Sequence, residues 1–226
     1  MNPPCFDCAV LTTAYFPPVE YFFAIANSGR VLIEQHEAYQ KQSWRNRCRI
    51  LSAGGPEDLS IPVVKEERLS RPIRDIRIDY GEPWLQHHIR ALAAAYNSSA
   101  YYDYYADELI PLLERRPAFL FDLNQALLEK LLALLVIETP VALTDSFVMP
   151  GLTGHLTDFR ARIQPKYKGK SLLEEFGFEQ AYYQVFVNRD PSSVMPGSDR
   201  TSFIPNLSIL DLLSAEGPDA GSFLRI

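Results

Sequence analysis

The first third of the chain alternates short apolar runs with turn residues. Residues 8–13 and 31–33 are apolar runs typical of strands, and residues 19–26 between them have the length of a short helix. Pro18 is a residue type that opens helices, and Gly29 is one that closes them. A strand, a short helix and a second strand this close together predict a βαβ-like opening. Further strands are predicted at residues 49–51, 59–64, 73–78 and 182–187.

Helical spacing of apolar residues dominates the middle of the chain. Residues 84–96 carry Leu85, Ile89 and Leu92 at intervals of three and four. Further helices are predicted at residues 100–113, 119–135 and 209–213, the last capped by Ser208 or Asn206. The pattern weakens between residues 139 and 169, and residues 189–200 form a polar loop segment. We therefore predict an α/β (or α+β) fold. It is a single domain over residues 1–226, with a mixed β-sheet formed mainly by the N-terminal third, a helical middle segment and a C-terminal helix.

Composition and charge limit the classes of molecule that the protein is expected to bind. Of the 226 residues, 47% are hydrophobic and 22% are charged, which fits a packed core under a charged surface. The 22 basic and 28 acidic residues give a formal net charge of −6, so nucleic acid is not an expected partner. No apolar run of about 18 residues predicts a membrane span, and the N-terminus lacks the basic and apolar regions of a signal peptide. We expect a cytoplasmic protein, and the oligomeric state stays open.

The three cysteines predict neither a disulfide framework nor a metal site. An odd count argues against paired cysteines, and the C-x-x-C formed by Cys5 and Cys8 precedes the first strand instead of opening a helix. A zinc site would need two more ligands, and Cys48 is the only other thiol. The chain also contains no G-x-S-x-G, no Walker loop and no G-x-G-x-x-G. Neither a cofactor nor a metal is assigned.

The densest polar segment, residues 34–49, follows directly after the second predicted strand. Ligands of open α/β sheets bind beyond the carboxyl ends of strands, so this position favours a site. Glu34 and His36 are candidate acid–base groups, while Trp44 and Tyr39 offer faces for stacking. The side chains that would hold a phosphate or carboxylate are Lys41, Arg45, Arg47 and Arg49. The alternative is a solvated basic stretch paired with nearby acids.

His87 and His88 form a second candidate site. Adjacent residues on a helix point about 100° apart, so both cannot face one ligand from the same turn. His88 shares a face with Trp84, which is typical of a core or boundary histidine. Together with Glu34 or Asp79 the two histidines supply ligand types for a metal, but their spacing does not match H-E-x-x-H.

Several segments carry a family resemblance that covers nearly the whole chain. They are Tyr15-Phe16-Pro17-Pro18 with Tyr21-Phe22, Glu34 to Arg47 ending in Trp44-Arg45-Asn46-Arg47, Leu59-Ser60-Ile61-Pro62-Val63, Ile73-Arg74-Asp75-Ile76 with Trp84 and His87, and the tail from Phe203 to Leu213. In order and spacing they resemble the WbqC-like family. Proteins of this family occur in bacterial surface-polysaccharide gene clusters, notably those for O-antigen and modified amino sugars. The resemblance therefore implies a role in that biosynthesis.

The resemblance also bears on individual positions. The family's W-x-N-R element is intact at residues 44–47, and its helix histidine falls on His87. Its aspartate-rich turn falls on Glu34 and Gln35, so this chain departs there, and a single carboxylate weakens a metal-bound sugar-nucleotide scheme. Gln164 stands where relatives often carry histidine, so no catalytic role is assigned to it.

Two functions fit these residues. The first is a transferase-type enzyme that binds an anionic activated sugar, a sugar nucleotide or an amino sugar. Its expected roles are anion binding by Lys41, Arg45 and Arg47, orientation by Asn46, proton transfer by Glu34, His36 or His87, and stacking by Trp44 or Tyr15. The second is a non-catalytic binding or scaffold protein in a polysaccharide-assembly complex. A hydrolase built on Cys8 or Cys48 lacks a local nucleophile signature. The enzyme hypothesis requires the named side chains to line one concavity.

Overall fold

The structure is a computed structural model that describes residues 4–65, 71–151, 155–177, 182–187 and 203–226. The strands are β1 (Cys8–Thr12), β2 (Val31–Glu34), β3 (Arg47–Ser52), β4 (Gly55–Ser60), β5 (Val141–Leu143) and β6 (Leu156–Asp158). The α-helices are α1 (Val19–Ala26), α2 (Trp84–Tyr96), α3 (Tyr102–Glu114), α4 (Leu120–Leu134), α5 (Leu172–Glu175) and α6 (Ile209–Glu216). Two 3₁₀ helices are Ile73–Asp75 and Gly217–Leu224.

A parallel sheet forms the centre of the molecule. Its four strands lie in the order β5-β2-β1-β6, and each described pairing is parallel. All of β1 is buried, which is typical of a parallel strand covered on both faces. β1 pairs with β2 from Ala9 opposite Val31 to Thr12 opposite Glu34, and α1 forms the crossover between them. The predicted βαβ opening and the α/β class are confirmed.

The helices supply the rest of the core. α1 is buried from Val19 to Ile25 and packs against α5 and α6, while α2, α3 and α4 form the helical middle segment. The structure confirms the predicted middle helices, with ends that differ by at most two residues. Ser208 caps α6, because its Oγ accepts a hydrogen bond from the Leu210 N–H at 3.3 Å. Within the described ranges, none of the helices has both the length and the hydropathy needed to cross a membrane.

Several strand predictions were wrong. Residues 73–78 contain a 3₁₀ helix, Ile73–Asp75, and residues 182–187 contain no strand. Within residues 73–78, Ile76 and Ile78 are buried by the packing of a loop and belong to no strand, and this produces the alternation of apolar and polar residues. β4 begins at Gly55 and ends at Ser60, so it overlaps the strand predicted at residues 59–64 only at its end, and it pairs with β3 as a separate antiparallel hairpin. The predicted polar loop at residues 189–200 lies outside the described residues.

Both outer strands of the parallel sheet come from the stretch where the sequence pattern weakens. β5 and β6 have three residues each and pair with β2 and β1. Since all four strands are parallel, their carboxyl ends lie at one edge of the sheet. The residues that follow β2, β5 and β6 are therefore brought together, although more than a hundred positions separate β2 from β5 and β6 in the chain.

Candidate functional site

A cleft of about 720 Å³ opens at the carboxyl edge of the sheet. Its walls come from residues 37–42 and Arg45 after β2, from Phe147 and Pro150 after β5, and from residues between 158 and 168 after β6. This is where open parallel sheets bind ligands. The polar segment after β2 thus contributes part of the lining, and the segment with the weakest sequence pattern contributes the rest.

The cleft carries more positive than negative charge. Its lining contains Lys41, Arg45, Arg160, Lys166 and Lys168, against the carboxylates Glu37 and Asp158. Each carboxylate is already paired, Glu37 with Arg45 at 2.6 Å and Asp158 with Arg160 at 2.7 Å. Among the described residues, none of the three lysines has a carboxylate partner, and Lys166 contacts the Gln42 amide oxygen instead. In a chain of net charge −6, this excess marks a place that attracts anions.

Arg45 shapes the wall of the cleft. Its Nε and Nη2 donate to the two carboxylate oxygens of Glu37 at 3.0 and 2.6 Å, and its Nη1 donates to Gln40 at 3.1 Å. Its carbonyl accepts a hydrogen bond from Asn124 of α4 at 2.8 Å. Burial raises the pKa of Glu37 by more than the Arg45 guanidinium lowers it. Since Glu37 and Gln40 occupy three of its five N–H donors and its side chain is buried, Arg45 holds residues 37–45 in place, and the lysines remain available to a ligand.

Arg160 joins three segments below the floor of the cleft. Its guanidinium donates to both oxygens of Asp158, to the carbonyl of Val148 at 2.8 Å and to Glu34 at 3.4 Å. Burial disfavours the charged form of Asp158, but the hydrogen bonds from Arg160 outweigh it and hold the pKa of the carboxyl below its ordinary value. The Asp158–Arg160 pair is therefore fixed in its ionised form at the end of β6.

Glu34 completes this arrangement from the end of β2. Its side chain is fully buried and accepts hydrogen bonds from the His36 N–H at 2.7 Å, the Thr144 hydroxyl at 3.1 Å and the Val148 N–H at 2.7 Å. With Arg160, these donors occupy both carboxylate oxygens. Glu34 does not line the cleft. Its geometry gives it a positioning role, because it holds Arg160 and the loop after β5.

Aromatic rings stand beside the charged groups. Phe147 and Tyr167 line the cleft with 43% and 45% of their surface exposed. The Arg160 guanidinium lies 5.5 Å from the centre of the Phe147 ring. Phe147 belongs to the loop whose Val148 is held at both its N–H and its C=O by Glu34 and Arg160. The cleft therefore presents a ring face next to an anion-binding surface.

The predicted site residues do not all lie in this cleft. Lys41 and Arg45 line it, whereas His36 does not line it and has its Nε2 3.0 Å from the Thr144 carbonyl. Trp44 lines a separate, smaller hollow. Asn46 donates to the Ile61 carbonyl at 2.7 Å and so fixes the start of the β3–β4 hairpin.

Three other predicted residues lie elsewhere. Arg47 is on the β3–β4 hairpin, where it donates to Asp58 at 3.1 Å, and His87 is exposed on α2. Tyr15 is fully buried, with its hydroxyl oxygen 3.0 Å from His88 Nδ1. Burial lowers the pKa of His88 to about 4, so His88 is a neutral core histidine. The single concavity that the sequence hypothesis required does not form from the full set of predicted residues.

Sequence reasoning missed the wall that follows β6. Asp158, Arg160, Lys166 and Lys168 come from a stretch in which only three residues form a strand. The signal that was present is local: a short apolar–polar run ending in Asp158, followed by closely spaced cations. Within the described residues, no group of three or more histidine, cysteine, aspartate or glutamate side chains is arranged to hold a metal ion.

The fold and the cleft define an α/β protein with a cationic site at the carboxyl edge of a parallel sheet. The sequence profile of the WbqC-like protein family matches residues 13–223, so the chain belongs to this family. It is also 30% identical, over 229 residues, to the uncharacterized protein Rv1507c of Mycobacterium tuberculosis (strain ATCC 25618 / H37Rv), and the match covers 96% of each chain. No solved structure matches the chain.

Proposed function

We propose that the protein is a transferase-type enzyme of bacterial cell-surface polysaccharide or modified amino-sugar biosynthesis. Its substrate is an anionic activated sugar or sugar nucleotide that binds in the cleft at the carboxyl edge of the sheet. The observation that carries this proposal is the placement of three lysines, which have no carboxylate partner in the described part of the chain, beside two exposed aromatic rings. Membership of the WbqC-like family supports the biosynthetic context.

The lysines would bind the phosphate groups of the donor. Lys41 comes from the segment after β2, and Lys166 and Lys168 come from the segment after β6, so a diphosphate in the cleft would contact cations from both segments. Arg160 is paired with Asp158 and Glu34, whose carboxylates offset its charge, so it would position the cleft wall while the lysines attract the anion. The volume of about 720 Å³ is in the range of sites for small molecules of nucleotide-sugar size.

The rings would orient the sugar or the base. A ring that stacks on Phe147 or Tyr167 stays within reach of the lysines, since all of them line the same cleft. His36 directly precedes Glu37, which lines the cleft, and is the predicted proton-transfer group that we assign to this site. Glu34 acts through Arg160, whereas Asn46, Arg47, Tyr15 and His87 do not line the cleft.

The first experiment measures anion binding by isothermal titration with inorganic pyrophosphate. We expect Lys41→Ala and Lys168→Ala each to weaken binding about fivefold, and added salt to weaken it further. The matched control is Lys130→Ala, because Lys130 pairs with Glu108 between α4 and α3, away from the cleft. Arg47→Ala and His87→Ala separate the hypotheses: they leave pyrophosphate binding unchanged if the cleft is the site. Equal affinity in the wild type and the Lys41/Lys168 double variant would refute the proposal.

The second experiment measures turnover. The purified chain is incubated with nucleoside diphosphate sugars and acyl donors, and products are followed by mass spectrometry. We expect release of the phosphorylated leaving group, with activity lost in the lysine double variant. Binding without turnover, together with a stable complex in size-exclusion light scattering, would instead support the non-catalytic scaffold role.

A further inference from the structure

A second hollow of about 200 Å³ adjoins the cleft. Gln164 and Tyr167 line both spaces, so they form the ridge between them. The hollow is also lined by Glu20 of α1, Trp44, Arg49 of β3 and Asn206. The adjacent residues Trp44 and Arg45 thus belong to different spaces, because Arg45 lines the cleft.

Glu20 provides a buried hydrogen-bond acceptor in the wall of this hollow. The residue is 4% exposed, and one carboxylate oxygen accepts a long hydrogen bond, 3.3 Å, from the Leu172 N–H. Among the described residues, no cationic side chain forms an ion pair with it, and Arg162 acts on it only through its more distant charge. Burial raises the pKa of Glu20, although Asn206 and the Leu172 N–H lower it. Since a carboxylate accepts up to about four hydrogen bonds, Glu20 has spare acceptor capacity.

Trp44 provides the complementary donor. It is 5% exposed, and its indole N–H is buried with no acceptor among the described residues. The Arg49 guanidinium lies 5.7 Å from the ring centre and is held there by Asp58 at 2.7 Å. A buried donor without a partner is unfavourable, so a ligand that accepts a hydrogen bond from this N–H would bind more tightly.

These two groups select a ligand by its hydrogen-bonding type. An ammonium group has donors only and cannot accept from Trp44, while an anion has acceptors only and is repelled by Glu20. A hydroxyl group both donates and accepts. We propose that this hollow is a second subsite, which binds a neutral hydroxyl-bearing ring: the acceptor substrate placed beside the activated donor. This inference rests on the proposed function, because the cleft must hold the donor.

The hollow also limits the size of the acceptor. A volume of about 200 Å³ is below the usual range for drug-sized ligands, so it takes one small ring and not an oligomer. The shared ridge of Gln164 and Tyr167 places such a ring next to whatever occupies the cleft. Proximity of two bound reactants is the main requirement for group transfer between them.

The test titrates the full chain with D-glucose, a neutral polyol ring, and with cyclohexylamine, an ammonium ring without hydroxyls. We expect saturable glucose binding by isothermal titration, with a change in tryptophan fluorescence in the wild type, and about fivefold weaker glucose binding by isothermal titration in both Glu20→Gln and Trp44→Phe. Glu20→Gln should bind pyrophosphate as the wild type does, which shows that the variant is folded. No glucose binding at about 100 mM, equal glucose affinity in Glu20→Gln, or binding of cyclohexylamine in place of glucose would overturn the inference. Pyrophosphate binding without glucose binding refutes only the second subsite, whereas glucose binding without pyrophosphate binding refutes the proposed donor cleft.

Discussion

Replacement of Glu34 by glutamine tests the arrangement that holds the cleft floor. The carboxylate of Glu34 accepts hydrogen bonds from two backbone N–H groups, one hydroxyl and one guanidinium. In Glu34→Gln, one oxygen becomes an NH₂ group of nearly the same size. The Thr144 hydroxyl can rotate to accept from that NH₂, so the amide nitrogen goes to the oxygen that faces Thr144 and His36. The His36 N–H then loses its acceptor, and Arg160 loses a buried counter-charge.

The magnitude follows from these two losses. A buried N–H left without a partner costs about 1–3 kcal/mol, and breaking a buried ion pair costs about 3–5 kcal/mol when the remaining charge has no other partner. Arg160 keeps Asp158 and the Val148 carbonyl, so the second loss is smaller than that range. We therefore expect Glu34→Gln to lower the free energy of unfolding by about 3 kcal/mol.

Urea unfolding at neutral pH measures this free energy directly. Asp58→Asn is the matched control, because Asp58 pairs with Arg47 and Arg49 on the surface of the hairpin and its loss should cost below about 1 kcal/mol. A second readout is limited chymotrypsin digestion, since Phe147 lies in the loop that Glu34 holds through Val148, and cleavage after Phe147 should accelerate. If Glu34→Gln stays within about 0.5 kcal/mol of the wild type and is cleaved at the same rate, the reasoning about the buried carboxylate is wrong.

Three further predictions concern pH and ligand selection. Because burial lowers the pKa of folded His88 to about 4, its contribution to stability falls by about 3 kcal/mol as pH drops from about 6.5 through 4. The free energy of unfolding of His88→Gln, measured with urea, should lack that part of the pH dependence. Burial raises the pKa of Asp211 to about 6, although neighbouring donors such as Gln184 lower it. The pH dependence of its contribution to stability is therefore opposite to that of His88: the contribution is present at pH values near 4 and is lost as pH rises through about 6. Asp211→Asn should therefore show a smaller loss of stability between pH 4 and 7 than the wild type, and an unchanged pH profile would contradict it. Phe147→Ala should weaken binding of uridine 5′-monophosphate about threefold to tenfold while leaving pyrophosphate affinity unaltered, and equal loss for both ligands would exclude stacking on this ring.

The central elements were predictable because their sequence signals are strong. β1 is a continuous apolar run, and α2 and α4 carry apolar residues at helical spacing over thirteen and fifteen residues. β5 and β6 were not predictable, because three residues are too few to show a period and these strands lie at the sheet edges, partly exposed. The strand predicted at residues 73–78 failed because buried isoleucines in a loop mimic alternation.

The candidate site was only half predictable for the same reason. The position after β2 follows from the rule for open sheets, and Lys41 and Arg45 lie in the cleft as that rule predicts. The sequence does not show that Arg45 and Arg47 diverge, because the turn between residues 40 and 46 has no regular period and Arg47 already belongs to β3. Nor does it show that Arg160 meets Glu34, since that contact spans 126 positions and depends on the pairing of β6 with β1.

That long-range contact has a consequence for how the protein matures. A nascent or truncated chain that ends before β6 carries Lys41 and Glu34 but lacks Arg160, Lys166 and Lys168, so half of the cationic surface does not yet exist. The cleft can therefore bind anions only after β6, the last strand of the parallel sheet to be synthesised, has joined the sheet. A ligand that contacts both Lys41 and Lys168 binds an N-terminal and a C-terminal segment of the chain at once. It binds only the folded protein, so the melting temperature should rise with ligand concentration.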